Sequence, residues 1–325
     1  MAATITLANG VAFQALERKT ILDSATAAGV ALEYSCRNGR CGVCKANAIG
    51  GETEALRPEI CLTLAEAAGG AILTCCRTPL SDVALDINDI SALAGIEVRT
   101  AVCKIDRLDL ITSTVLRVVL RTPPAARLAF LPGQHLDIIH GQTRRAYSIA
   151  NAPRADGRLE LLVARVDGGV MSRYWFEKAQ VNDVLRLEGP LGTFFLREDG
   201  ASRVILLATG TGIAPIKAMA EQIHGNAENP RADIFWGTRS EEDIYLERLP
   251  LPPGVGVVTC LSRPQPGWNG GRGYVQNVFA AQAQNLPGCS VYACGSPDMI
   301  ETARQLLVEQ GLPRRRFYSD AFVQS

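Results

Sequence analysis

The sequence offers no surplus of charge: 33 Lys and Arg offset 33 Asp and Glu, so nothing in its electrostatics points to nucleic acid or an anionic membrane. It also lacks any apolar run near the roughly 18 to 20 residues needed to span a bilayer. Its start, "MAATITLANG", has neither a basic n-region nor an apolar h-region and does not read as a signal peptide. Histidine is scarce, with only His135, His140 and His224. A cytoplasmic protein is expected, and there thiols stay reduced, so its ten cysteines do not read as a disulfide framework.

At 325 residues the chain is too long for one small core, and two or three domains are expected. Residues 1–93 begin with two alternating runs around Asn9-Gly10, a type I′ hairpin signal. A short helix in "TILDSATAAGV" closes at Gly29, and "GAIL" and "DVALDI" read as strands. One helix on a small sheet is expected. Residues 97–198 hold six short strands broken by Pro and Gly, with one helical stretch, "MSRYWFEKA"; an antiparallel barrel fits. Residues 201–325 alternate strand and helix, from the apolar run "RVILLATG" through a helix ending at Gly225 to the amphipathic "DMIETARQLLVEQG". That pattern is an open parallel α/β sheet. "NDISALAG" is the candidate linker.

Six cysteines crowd the first quarter, and "CRNGRCGVC" spaces three of them as Cys36-x4-Cys41-x2-Cys44, thirty residues before Cys75. Plant-type [2Fe–2S] ligand sets follow this spacing. Three thiolates must converge on a compact core; Gly39 and Gly42 let the backbone turn, and nearby N–H groups can face the sulfides. Structural zinc is the alternative, but it favours two C-x2-C knuckles or a Cys/His mixture, and here only Cys41 and Cys44 form a knuckle. The fourth ligand is read as Cys75, with its neighbour Cys76 as the alternative. Cys103, Cys260, Cys289 and Cys294 read as small buried hydrophobes.

In "RRAYSIANAP", Arg145 and Tyr147 share one face of a strand, so a cation and a ring can grip one ligand such as a flavin with its pyrophosphate. Ser148 points either away or toward the flavin edge, depending on strand twist. A surface Arg beside a half-buried Tyr is the plainer reading. Gly169, Val170, Met171 and Ser172 add a second part, with Ser172 expected to cap a helix whose N–H groups bind an anion. Gly210, Thr211 and Gly212 lie between a buried strand and a helix, where glycines admit a diphosphate, although the third glycine of the dinucleotide fingerprint is missing. Cys294 and Gly295 end a strand at the carboxyl edge, where the cysteine either touches a nicotinamide or simply packs.

Taken with "GVMS", "GTGIAP" and "YACGSP", these motifs make the chain similar to the ferredoxin–NADP reductase superfamily with an N-terminal plant-type ferredoxin domain, across essentially its whole length. It resembles most the CDP-6-deoxy-3,4-glucoseen reductase family, through "EYSCRNGRCGVCKA", "EGPLGTFFLRED" and "FYSDAFVQS". The resemblance implies a β-grasp ferredoxin domain, a [2Fe–2S] cluster on Cys36, Cys41, Cys44 and Cys75, and FAD on Arg145, Tyr147, Ser148 and Gly169–Ser172. It implies NADH on Gly210–Pro215 and Cys294-Gly295, with Asp320 and Phe322 beside the flavin and Ser148 and Cys294 lining hydride transfer. Ser262-Arg263 resembles a pair that binds a 2′-phosphate, which leaves NADPH open. The implied acceptor is a pyridoxamine-phosphate-dependent dehydrase of 3,6-dideoxysugar synthesis. An oxygenase component is the rival acceptor, and a non-enzymatic iron–sulfur or zinc module the rival class. Arg37, Arg40 and Lys45, flanking the cysteines, are expected to meet an acidic partner or simply to be solvated.

Overall fold

The alternating apolar pattern of the first segment builds a sheet with a sealed face. The computed structural model describes residues 3–93, 95–224, 230–253 and 255–322, and it divides into a unit running to Ile96 and a unit Glu97–Phe322. The division falls just after the stretch expected to link them.

In the first unit five strands lie in the spatial order Ala12–Gln14, Thr4–Leu7, Val83–Leu85, Lys45–Gly50, Ala71–Leu73. Thr4–Leu7 pairs parallel with Val83–Leu85 and antiparallel with its hairpin partner. Ile5, Leu22, Leu73 and Leu85 are fully or almost fully buried between this sheet and the helix Ile21–Ala27. Each such side chain contributes about 1.5–3 kcal/mol. Thr20 caps the helix by accepting from the Asp23 N–H (3.1 Å), and Gly29, at φ 73°, stops it.

Two expectations for this unit need correction. The hairpin is not a two-residue type I′ turn, because of Asn9 and Gly10 only Gly10 takes a positive φ (84°). Gly10 N–H donates to Leu7 O, and Leu7 N–H to Val11 O, which makes a three-residue loop ending in a left-handed glycine. A second helix, Leu64–Ala68, is also present, opened by a capping box in which Thr63 and Glu66 satisfy each other's N–H groups.

In the second unit six antiparallel strands run in the order Thr143–Ser148, His135–His140, Val184–Leu191, Arg99–Thr112, Val115–Arg121, Leu159–Ala164. An Ile149–Leu161 bridge brings the end of the first strand back to the last. The remaining six strands are all parallel, in the order Gly271–Arg272, Gly256–Leu261, Arg231–Thr238, Arg203–Thr209, Cys289–Gly295, Phe317–Ala321. The chain enters at Arg203–Thr209, builds outward to one side, then crosses to the other. The switch point therefore lies between Arg203–Thr209 and Cys289–Gly295, and a crevice at the carboxyl ends is the expected ligand seat there. One core joins the two sheets, with Ile111, Ala150 and Leu162 from the antiparallel side meeting Ile216 and Met219 of the helix Ile213–His224. The Gly225 end expected for that helix lies outside the described residues.

Candidate functional site

The cysteines gather in two groups, Cys36 with Cys41 and Cys44 with Cys75, the Cys75 sulfur also lying 3.6 Å from that of Cys76. Cys44 donates to Cys75 across 3.2 Å, and Cys41 donates to Cys36. Hydrogen bonding from Cys41 draws the Cys36 thiol down to about 5, against the opposing effect of burial. In the same way Cys44 draws Cys75 down to about 7, while both donors are pushed up. Main-chain N–H groups of Asn38, Arg40 and Cys41 face the Cys36 sulfur, and that of Gly39 faces Cys75. This is a shell that favours negative charge on sulfur. Among the described residues no three His, Cys, Asp or Glu side chains converge on one point, as a mononuclear ion would require. Four thiols inside an N–H shell fit a dinuclear iron–sulfur core.

Loop geometry depends on its glycines. Gly39 has φ 78°, and a Cβ there would lie 2.3 Å from Pro58 O and 2.9 Å from the Cys76 sulfur. Cys76 itself is fully buried, raised to about 12 first by burial, and turned toward Pro58 O. The basic flank is smaller than its sequence suggests. Lys45 is paired with Glu66 at 2.6 Å and Arg37 lies over the Tyr34 ring near Asp23, whereas Arg40 is exposed.

In the second unit the exposed Arg144 is forked onto Asp137 and Glu188, whereas the guanidinium of its exposed neighbour Arg145 donates, among the described residues, only to Arg144 O, at 2.8 Å. Tyr147 is half-buried, its hydroxyl accepts from Trp175 Nε1 at 2.9 Å, and burial lifts it to about 12. Ser148 is buried at the strand end. Trp175 sits on a π-helical turn, Tyr174–Lys178, that continues the short helix Val170–Arg173.

That short helix corrects the expected cap. Gly169 is the N-cap and Ser172 lies inside the first turn, its hydroxyl accepting from the Val166 N–H at 2.8 Å. This bond, six residues back in the preceding turn, folds the chain over the helix start, and the helix begins at Val170. Val170 is exposed there and Met171 is buried.

At the switch point, Gly210, Thr211 and Gly212 form a single tight turn between strand and helix. Gly210 has φ 51°, and its carbonyl accepts from Trp236 Nε1 (2.9 Å) and the Tyr245 hydroxyl (3.0 Å). Side chains are excluded where the elements meet. A Cβ on Gly212 would lie 2.3 Å from Cys294 O, and one on Gly295 would lie 2.0 Å from Thr209 Oγ1. Cys294 is fully buried, its thiol pushed well up by burial and then by Asp320, its register partner on the next strand. Phe322 follows at the strand end, partly exposed, its N–H donating to Gly295 O at 2.8 Å. The residues after it lie outside the described residues. Arg263 and Arg239 are both exposed at neighbouring carboxyl ends, joined by an Arg263 N–H to Arg239 O bond. Beside them a groove of about 400 Å³ is lined by Glu241, Glu242, Gln265 and Trp268.

Sequence reasoning missed Trp175, Trp236 and Tyr245, which lie outside every set of site residues that it singled out.

Comparison with known proteins matches three family profiles in chain order. They are a 2Fe-2S iron-sulfur cluster binding domain over residues 5–80, an oxidoreductase FAD-binding domain over 102–196, and an oxidoreductase NAD-binding domain over 206–305. The CDP-6-deoxy-L-threo-D-glycero-4-hexulose-3-dehydrase reductase of Yersinia pestis is 39% identical over 98% of this chain and 97% of its own. The toluate 1,2-dioxygenase electron transfer component of Pseudomonas putida is 30% identical over 94% of this chain and 93% of its own. Among solved structures, the Amycolatopsis cytochrome P450 reductase GcoB superposes with a TM-score of 0.75 at 28% identity, covering 99% of both chains. Identity at this level from end to end leaves one placement: the chain belongs to the ferredoxin–NADP reductase superfamily, in the iron–sulfur flavoprotein family of the CDP-6-deoxy-L-threo-D-glycero-4-hexulose-3-dehydrase reductases.

Proposed function

We propose that this protein is an NADH-dependent reductase that passes electrons through FAD and a [2Fe–2S] cluster to a protein partner, the dehydrase of 3,6-dideoxysugar synthesis. The full-length similarity to the dehydrase reductases carries this reading. In the bound enzyme the cofactors supply hydride acceptance and one-electron delivery, and the fold supplies position and electrostatics.

The chain's own residues have distinct tasks in this reading. Cys36, Cys41, Cys44 and Cys75 would hold the cluster as thiolates. Arg145, whose guanidinium donates to Arg144 O but meets no carboxylate among the described residues, would pair with the flavin pyrophosphate, and the Gly169–Ser172 turn would offer main-chain N–H groups. Tyr147, held by Trp175, would lie against the flavin ring, with Ser148 and Phe322 as further contacts. Gly210–Gly212 admits the nucleotide diphosphate, and Cys294, Gly295 and Asp320 shape the nicotinamide end. The groove beyond takes the adenosine, where Glu241 and Glu242 disfavour a 2′-phosphate that Arg239 and Arg263 would attract. NADH is therefore the preferred donor.

Purified protein should show flavin and cluster absorbance that bleaches with NADH, and it should support turnover of a dideoxysugar dehydrase. Bleaching without dehydrase turnover, but with turnover of an oxygenase component, would favour the second reading, which the dioxygenase relative supports. A colourless protein with no iron or acid-labile sulfide would end both.

A further inference from the structure

Two buried charges, Lys217 and Glu160, meet the half-buried Glu221 and the exposed Arg154 where the antiparallel sheet meets the helix Ile213–His224. Lys217, on that helix, has no solvent exposure. Its ammonium donates to Ala150 O (3.0 Å), Glu160 Oε2 (3.3 Å) and Glu221 Oε1. Arg154 closes the circuit, donating to Glu160 Oε1 (2.7 Å) and Glu221 Oε1 (3.2 Å), and Glu221 Oε2 accepts from the Ala152 N–H. Burial alone would raise the Glu160 carboxyl, yet Lys217 and Arg154 together hold it below the usual carboxylate range. Two cations balance two carboxylates, so no net charge is buried.

The position of this group is unusual. Ala150 lies two residues beyond Ser148, at the end of the Arg-x-Tyr-Ser strand, and Lys217 lies five beyond Gly212, on the helix opened by the glycine turn. The surrounding core is apolar, and apolar contact is non-directional: it holds two surfaces together but does not prevent a small slide between them. The bonds from Lys217 to Ala150 O and Glu160 Oε2, which cross from the helix to the other side, do prevent it, while Glu221 on the same helix holds the ammonium in place. Stability is not what such a group adds, because replacing buried ions by apolar side chains is often neutral or stabilising.

The geometry points to Lys217 as a positioning residue for hydride transfer, fixing the separation between the flavin seat on the antiparallel sheet and the nicotinamide seat at the switch point. This inference rests on the reductase reading above. Near-attack geometry tolerates little error, and a displacement of about 1 Å can cost about a hundredfold in rate.

The test uses the holoenzyme and two variants. Lys217→Met leaves two carboxylates facing one cation and should lower the melting temperature. Lys217→Met combined with Glu160→Gln restores neutrality through Arg154 and Glu221, and should recover most of the melting temperature. In the paired variant we expect FAD and iron content and the NAD⁺ dissociation constant to stay near those of the wild type. The rate of flavin reduction at saturating NADH should fall about tenfold or more, and the long-wavelength flavin–nicotinamide charge-transfer absorbance should weaken. Recovery of the rate together with the melting temperature would overturn the inference, as would a loss residing wholly in nucleotide affinity. If the paired variant does not fold, Lys217→Arg decides, since it keeps the charge but cannot aim three bonds from one nitrogen; a wild-type rate and charge-transfer band in it overturn the inference. Failure of the wild-type flavin to accept electrons from NADH would instead count against the reductase reading.

Discussion

Gly212 and Cys294 meet so closely at the switch point that any side chain on the glycine would collide with the cysteine's carbonyl oxygen, 2.3 Å from the position of its Cβ. The contact is backbone to backbone, so neither partner can swing aside as a flexible side chain would. Gly212→Ala should therefore push the turn away from the strand. Stopped-flow flavin reduction by NADH should slow by about a hundredfold, with FAD and iron content retained.

Cys75 and Cys76 are adjacent in sequence but differ in surroundings. Cys75 shares a hydrogen bond with Cys44 and faces the Gly39 N–H, while the Cys76 sulfur touches that of Cys75 (3.6 Å) and Pro58 O (3.7 Å). Cys75→Ser should lose iron and acid-labile sulfide, and Cys76→Ser should keep both. Metal analysis of anaerobically purified variants checks this.

Trp175→Phe removes the donor to the Tyr147 hydroxyl while keeping an aromatic ring in the core. Losing one such bond costs about 1 kcal/mol, so FAD should be held about fivefold less tightly, with little change in fold stability. Fluorescence titration of the FAD-depleted protein measures the effect.

Hydrogen bonding from Lys45, then from the Thr63 N–H, lowers Glu66 to about 2, below its ordinary 4.5. A carboxylate depressed in the folded state stabilises it above pH 4.5, and that contribution fades as pH falls toward 2. Glu66→Gln keeps the capping geometry and loses the charge. The wild type should exceed it in urea midpoint at pH 7, with a smaller margin at pH 4. The margin is modest because solvent screens a pair about a third exposed.

Arg40 remains exposed beside the cluster cysteines once Lys45 is paired with Glu66. If it steers an acidic acceptor, Arg40→Glu should slow acceptor reduction severalfold at low salt, with the two proteins converging as salt rises. Equal rates at low salt would show that Arg40 is merely solvated.

Local patterns carried much of the fold into view. Short runs broken by Pro and Gly marked the six antiparallel strands, and the continuous apolar run "RVILLATG" marked the central parallel one, whereas Gly271–Arg272 and Phe317–Ala321 carried no such signal. Where the decisive partner was distant, pattern alone misled. Lys45 looked free because Glu66 lies 21 residues away, whereas Ser172 looked like a cap although its partner Val166 is only six residues back, in the turn before the helix. The Leu64–Ala68 helix was too short for periodicity to reveal, although Thr63 and Glu66 spelled its capping box. Trp236 and Tyr245 converge on Gly210 O from 26 and 35 residues away, a meeting that no short window contains.

The joint core of the second unit bears on how such proteins can be recombined. Ile111, Ala150 and Leu162 are as much part of the nucleotide half's interior as Ile216 and Met219. A gene fusion spliced near residue 200 would have to graft two complementary surfaces at once, whereas the first unit, whose buried cluster lies wholly within its own segment, can be exchanged as a cassette at Ile96. Shuffling of electron-delivery modules should accordingly leave seams at that junction far more often than in the middle of the flavin–nucleotide half.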